Sequence, residues 1–312
     1  MTRTSDGKVV GGGSSGVYTL KPPTGPCVMR QAWRDLLFLH WEFDPGLIQD
    51  TLPTGLRVDT LGGRAYVGVV PFQMDKVRPR FCPPVPGVSW FGELNLRTYV
   101  VGPDGRPGVW FYSLDAHQRL AVWLARKFFS LPYYYARIEQ REWPDPGRGR
   151  KLEYFWERGP REARPRRGAI KGTRGRRRPV PRNPPQAPAG PAFVYRTPPT
   201  SAAKLTEAGT LAHWLVERYL LYSRRPLFVP DVGRTAPRES ASVDRGEFYV
   251  GRVEHKPYAV AEVQVAHADP SLFGLNGFDV PTPPPTSALW SPGVGVSIHP
   301  LRKVCAQTST PT

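Results

Sequence analysis

The sequence predicts an α+β fold built around a mainly antiparallel sheet. Three observations carry that expectation. Many short β-compatible runs are separated by turn signals. Two segments carry a clear helical period. Strands and helices do not alternate regularly, as a doubly wound parallel sheet would require. With 37 prolines and 31 glycines in 312 residues and an apolar fraction of 40%, the chain reads as a loop-rich globular domain rather than a helical bundle. So many strands predict a sheet that curls or closes into a barrel, with two main flanking helices.

Residues 1–26 are rich in Gly, Ser and Pro and read as a disordered tail. A single domain is expected over 27–304, followed by a second disordered tail over 305–312. Leu36–Phe43 (LLFLHWEF) is a strand covered on both faces, because its apolar run is nearly continuous. Asp44-Pro45-Gly46 breaks it, and Leu47–Leu52 forms a short helix. Leu56–Thr60 and Ala65–Phe72 form two strands around Leu61-Gly62-Gly63-Arg64, a hairpin signal. Glu93–Val101 and Gly108–Ser113 form another hairpin around Pro103-Asp104-Gly105. Leu114–Phe129 is the clearest helix, with Asp115 as N-cap, Gln118 completing a capping box, and an apolar stripe of Leu120, Trp123, Leu124 and Phe128. Pro132 ends it.

Strands follow at Tyr134–Trp143 and Lys151–Trp156. Residues 158–191 then form a Pro/Arg/Gly-rich insert without apolar period, hence a disordered loop. Phe193–Arg196 resumes the sheet. Leu211–Tyr222 is the second helix, capped by Thr210. Phe248–Glu254, Val260–Ala266 and Gly293–Pro300 are the last strands.

The formal charge of +17 is concentrated. From Arg158 to Arg182 arginines and lysines recur densely, and Glu162 alone opposes them. The remainder is only mildly basic. Within the insert, Arg174, Arg176, Arg177 and Arg178 are the candidates for contact with nucleic-acid phosphates. No aromatic residue interrupts them to stack on bases. The expected interaction is therefore weak, salt-sensitive and non-specific, and the competing reading is a solvated loop.

The three cysteines, Cys27, Cys82 and Cys305, are far apart and form no C-x-x-C pair, so a disulfide framework is not expected and a cytoplasmic location is the default. No apolar run is long enough to span a bilayer, and no membrane association is expected. The N-terminal Gly-rich stretch is not a signal peptide. None of the six histidines has metal-ligand spacing.

Several long motifs occur in order: QAWRDLLFLHWEFDP at Gln31–Pro45, VDTLGGRAYVGVVPF at Val58–Phe72, then FGELNLRTYV, LPYYYA, HWLVERYLLY and VEHKPY. Together they resemble the DUF2071 (YqjF-like) family of uncharacterised proteins, which is related to the acetoacetate decarboxylase-like fold. The resemblance covers about residues 29–304 apart from the insert. It implies a strongly curved sheet forming a cone-like barrel around a pocket, and it implies no particular reaction. The decarboxylases of that fold use a lysine Schiff base. At the similar point this chain has Ser130-Leu131-Pro132-Tyr133-Tyr134, and a phenol cannot form an imine. The resemblance also places Glu93 at the pocket carboxylate of that fold.

Glu93 and Arg97 lie an even number of residues apart and share a strand face. They are either a ligand-orienting pair on a pocket wall or an internal ion pair that fixes register. Tyr133 and Tyr134 are either hydrogen-bond donors to a ligand oxygen or core aromatics. His40, in an apolar strand, and His255, at a strand end, are candidate pocket residues against a structural alternative. Lys256 is the one lysine to consider as a replacement nucleophile. These residues predict a pocket for a small oxygenated, anionic ligand of unknown identity. No metal or organic cofactor is implied, and whether the chain is an enzyme and its oligomeric state stay open.

Overall fold

The computed structural model describes residues 23, 25–146, 149–159, 190–226, 246–282 and 284–304. Among them fifteen strands and four α-helices alternate as follows. Strand β1 (Met29–Phe43) leads through helix α1 (Pro45–Gln49) to β2 (Arg57–Val58), β3 (Ala65–Pro79), β4 (Phe91–Val101) and β5 (Pro107–Ala116). Helix α2 (Arg119–Phe129) crosses to β6 (Tyr133–Asp145), which turns back into β7 (Gly149–Arg158). Then come β8 (Phe193–Thr197), β9 (Lys204–Leu205), α3 (Leu211–Val216), β10 (Leu220–Pro226) and β11 (Gly246–His255). The chain continues with β12 (Ala259–Glu262), β13 (Gln264–Ala268), α4 (Ser271–Leu275), β14 (Ser287–Ile298) and β15 (Arg302–Lys303). The α+β expectation with a mainly antiparallel sheet matches this architecture. No helix among the described residues is long and apolar enough to cross a membrane.

Hydrogen bonding runs through β5, β10, β11, β14, β1, β3 and β4 and returns from β4 to β5, so these seven strands form a ring. Strands β6, β7, β8 and β13 extend from β5 as a flap. All pairings are antiparallel except β5 with β6 and β5 with β10. A parallel pair needs a crossover, and α2 supplies the one between β5 and β6.

Two cores share the ring strands. Leu36, Phe38, Val70 and Phe72 face one core, and Leu37, Leu39, Val67 and Val69 face the other, where Tyr154, Phe193 and Tyr195 of the flap cover them. That double cover is why Leu36–Phe43 shows no polar alternation.

Two bulges bend the ring. Asp35 has φ +51° and Lys76 has φ +53°. Between β1 and β3 the register slips by one near Lys76 and slips back near Asp35. A bulge adds one residue to one strand and increases bend and twist. It also inverts which alternate residues face inwards. Along β1 the inward side is Gln31 and Trp33 before the bulge, and Leu36 and Phe38 after it. Along β3 it is Phe72 and Met74, then Val77 and Pro79. The turn between β2 and β3 follows the expected signal: Gly62 (φ +59°) and Gly63 (φ +77°) form the paired left-handed centre that a tight two-residue turn requires.

Three expectations are corrected. Helix α2 begins at Arg119, not Leu114. Its cap is Gln118, whose Oε1 accepts from the Leu120 N–H at 2.9 Å. Asp115 stays in β5 and is fully buried. It accepts from Trp156 Nε1 at 2.7 Å and from Arg158 Nε and Nη2 at 2.9 and 2.5 Å. A carboxylate so well satisfied by an indole and a guanidinium is lost to capping.

Second, helix α3 stops at Val216, because Leu220–Pro226 pairs with β11 and β5 instead of continuing the helix. Third, Arg158 is not the start of a solvated insert. It ends β7 as the buried partner of Asp115. The rest of the insert from residue 160 to 189, with Arg174, Arg176, Arg177 and Arg178, lies outside the described residues.

Candidate functional site

A cavity of about 250 Å³ lies inside the ring, under α2. Its polar lining is one row on β4, together with Gln31 of β1 and Arg78 of β3. Glu93, Asn95 and Arg97 alternate inwards with the strand's period of two, and Leu94 and Leu96 point to the outer core. Most other lining groups are aliphatic or aromatic, among them Leu36, Phe38, Val70, Phe72 and Met74.

Glu93 is 2% exposed. Burial pushes its carboxyl up to about 8; the hydrogen bond from Tyr133 opposes this, and the charge of Asp115 adds to it. The Tyr133 hydroxyl donates to Glu93 Oε2 at 3.1 Å. Tyr133 starts β6 beside Leu114 of β5, so the parallel pairing created by the α2 crossover delivers this phenol to the cavity. The phenol itself is held well above its ordinary range by burial and by the Glu93 charge. Burial thus favours the protonated, uncharged form of Glu93.

Arg97 is partly buried. Its Nη2 donates to the Leu215 carbonyl at 3.3 Å, and its Nε has no hydrogen-bond partner. The guanidinium carbon lies 5.6 Å from the Phe38 ring centre and 5.8 Å from that of Tyr99. Among the described residues no carboxylate forms an ion pair with Arg97. The ion-pair reading of Glu93 with Arg97 is thus corrected. Both line one cavity, and four residues of extended strand separate them by roughly 13 Å.

The wall behind Arg97 is a buried polar chain. Tyr99 Oη donates to the Leu215 carbonyl at 2.7 Å, and His40 Nε2 lies 2.7 Å from Tyr99 Oη. A phenol has one proton, and the carbonyl takes it. His40 must then donate from Nε2, which leaves Nδ1 unprotonated; Nδ1 has no partner. Burial, and secondarily the Arg97 charge, hold His40 well below its ordinary range. It is neutral. Gly68 pairs with His40 on one side and Arg97 on the other. A Cβ there would meet the His40 ring at 3.0 Å, so a glycine leaves room for both side chains to cross the strand.

The remaining candidates are elsewhere. Tyr134 faces away from Glu93, with the Arg158 guanidinium 4.1 Å from its ring. His255 is not on the cavity wall. It is stacked on Tyr219 at 4.5 Å, and its Nδ1 lies 2.8 Å from the Lys256 carbonyl. Lys256 is exposed, and among the described residues no lysine lines the cavity. Asn95 was missed by sequence reasoning, although its place midway between Glu93 and Arg97 gives it the same face. Its Oδ1 is buried without a partner. Among the described residues no group of three metal-ligating side chains is gathered.

The sequence profile of DUF2071, described as an uncharacterized conserved protein, matches residues 30–295. The uncharacterized protein YqjF of Bacillus subtilis (strain 168) is 36% identical over 212 residues, which is 67% of this chain and 74% of that protein. Among solved structures, acetoacetate decarboxylase from Legionella pneumophila superposes with a TM-score of 0.52 at 12% identity, covering 99% of this chain and 100% of the other. An acetoacetate decarboxylase-like enzyme from Sphingomonas wittichii RW1 gives 0.52 at 14% identity, covering 92% and 97%. At such identities the likeness establishes the fold alone.

Proposed function

This chain belongs to the DUF2071 family, and from that premise we propose that it is a small-molecule pocket protein holding a small oxygenated monoanion on Arg97. The ring of strands is read as the cone-like barrel wall of that pocket. The observation that carries the reading is the charge state of the cavity. A guanidinium without an ion-pair partner among the described residues shares it with a carboxyl pushed up to about 8. With Glu93 protonated the β4 row is singly positive, and a partly buried cation without a counter-charge favours an anion. Asn95 supplies an amide between them. Glu93, uncharged, offers an O–H to a ligand oxygen instead of repelling the anion.

Imine chemistry is not part of this reading. Tyr133 and Tyr134 occupy the positions similar to the decarboxylase lysines, and neither phenol supplies the amine. The reading assigns binding, with Tyr133 as a positioning residue for Glu93, and leaves any reaction unassigned.

A thermal-shift screen of small carboxylates at pH 7 tests it, because a ligand that binds the native state raises its apparent stability. Hits that stabilise the wild type and fail with Arg97→Gln support the reading. Hits unaffected by that change would remove Arg97 from the site.

A further inference from the structure

The two polar stations of the cavity do not converge. Arg97 and Glu93 are set apart along β4 by roughly 13 Å. The Arg97 guanidinium lies between the rings of Phe38, at 5.6 Å, and Tyr99, at 5.8 Å, and so stays level with its own backbone. On that backbone spacing, an acid longer than acetate is needed to reach from one station to the other. Between the stations the wall is Asn95 facing Phe38, Val70 and Phe72. A cavity of about 250 Å³ has room for roughly eight water-sized groups. A methylene is of similar size. Drawn out along the strand, that volume leaves a bore about one hydrocarbon chain wide.

The far end is mostly apolar, with Gln31 and Arg78 also on its wall. Leu120, Ala121, Leu124 and Ala125 of α2 line the cavity, and their small members leave space beneath the helix. Leu120 and Leu124 are 48% and 38% exposed, so the apolar wall reaches the surface along this helix.

We propose that the ligand is a medium-chain aliphatic monocarboxylate carrying a second oxygen, hydroxyl or carbonyl, towards its far end. The carboxylate sits on Arg97, the chain runs past Asn95 along the apolar wall, and the second oxygen accepts from the uncharged Glu93 carboxyl beside Tyr133. This rests on the anion-pocket reading and adds the length and the second functional group of the ligand. Each buried methylene strengthens binding roughly threefold to fourfold until the chain fills the bore. The distal oxygen adds a further several-fold through one hydrogen bond to a buried acid.

Isothermal titration at pH 6.5 with acetate, butyrate, octanoate and 8-hydroxyoctanoate tests the proposal on wild type, Arg97→Gln, Glu93→Leu and Ala121→Phe. The expected result is affinity rising along the series, with 8-hydroxyoctanoate above octanoate. Glu93→Leu should erase that last difference while leaving octanoate bound. Ala121→Phe, on the surface helix, should weaken the long acids at least tenfold and spare acetate. If acetate binds as tightly as octanoate and Arg97→Gln abolishes both, the chain proposal fails and the anion site stands. If octanoate and 8-hydroxyoctanoate bind wild type equally, the distal oxygen is wrong. If no acid binds in an Arg97-dependent way, the anion-pocket reading falls with it.

Discussion

The Tyr133 hydroxyl donates to Glu93 Oε2 across 3.1 Å, which fixes where an acid proton on Glu93 can sit. With Oε2 already accepting, the carboxyl proton belongs on Oε1, the oxygen left to the cavity. The phenol thus makes the carboxyl a directed donor, provided the carboxyl is protonated.

Anion affinity should fall as pH rises through about 8, where Glu93 ionises and cancels the positive charge of the polar row. Tyr133→Phe removes the hydrogen bond that holds the Glu93 carboxyl down, so the transition should move to higher pH. Titrating a bound carboxylate from pH 6 to 10 in both proteins checks this. A transition at the same pH in both would show that the phenol does not tune the acid.

Stability should respond to the same group. The folded carboxyl holds its proton more tightly than an unfolded one, with its ordinary value of 4.5 raised to about 8. Its contribution is fully present below pH 4.5 and is lost as pH climbs to about 8. The loss is on the order of 3–5 kcal/mol by pH 8. Glu93→Gln should remove this slope. Urea midpoints at pH 5 and pH 8 are the measurement, with the variant gaining on the wild type at the higher pH.

Asp115→Ala should destabilise the fold by about 3–5 kcal/mol, because it leaves the buried guanidinium of Arg158 uncompensated. Arg158 has a side-chain exposure of 3% and no easy route to water. Equilibrium urea unfolding reads the loss directly. A change under 1 kcal/mol would mean that Arg158 escapes to solvent.

Gly68→Ala should cost about 1–3 kcal/mol, since the added methyl must push the His40 ring back from 3.0 Å. Arg97 Cγ lies 3.6 Å from the same point, so anion affinity should drop with stability. Thermal unfolding and one titration of the variant suffice. An unchanged affinity would separate the His40 wall from the Arg97 site.

Much of this was legible from the chain. The strand periods placed Glu93 and Arg97 on one face, and the Gly62-Gly63 turn followed its composition. What could not be read was decided by partners distant in sequence. Asp115 looks like an N-cap because the capping residues follow it locally; Trp156 and Arg158, more than forty positions on, claim its oxygens instead. Tyr219–Tyr222 keeps a helical pattern, yet its strand neighbours in β11 and β5 give it a ladder. Arg158 carried the look of its basic surroundings. Asn95 needed only the alternation already used for its neighbours, and polar character without charge made it easy to pass over.

The bulges at Asp35 and Lys76 behave like a pair of compensating frameshifts. Each moves the inside-outside reading of its strand by one residue, and together they bring β1 and β3 back into step. Deleting Asp35 alone would remove the extra residue, so that Arg34 adjoins Leu36 and β1 alternates regularly with Gln31, Trp33, Leu36 and Phe38 still on the cavity face. The cost would fall on the opposite edge, where β14 pairs with β1 in one unbroken register through Arg34 with Gly293 and Leu36 with Ser291, so that Pro292 would be left over. The bulge at Asp35 is therefore shared by three strands, and a deletion there is tolerated only with a matching one in β14.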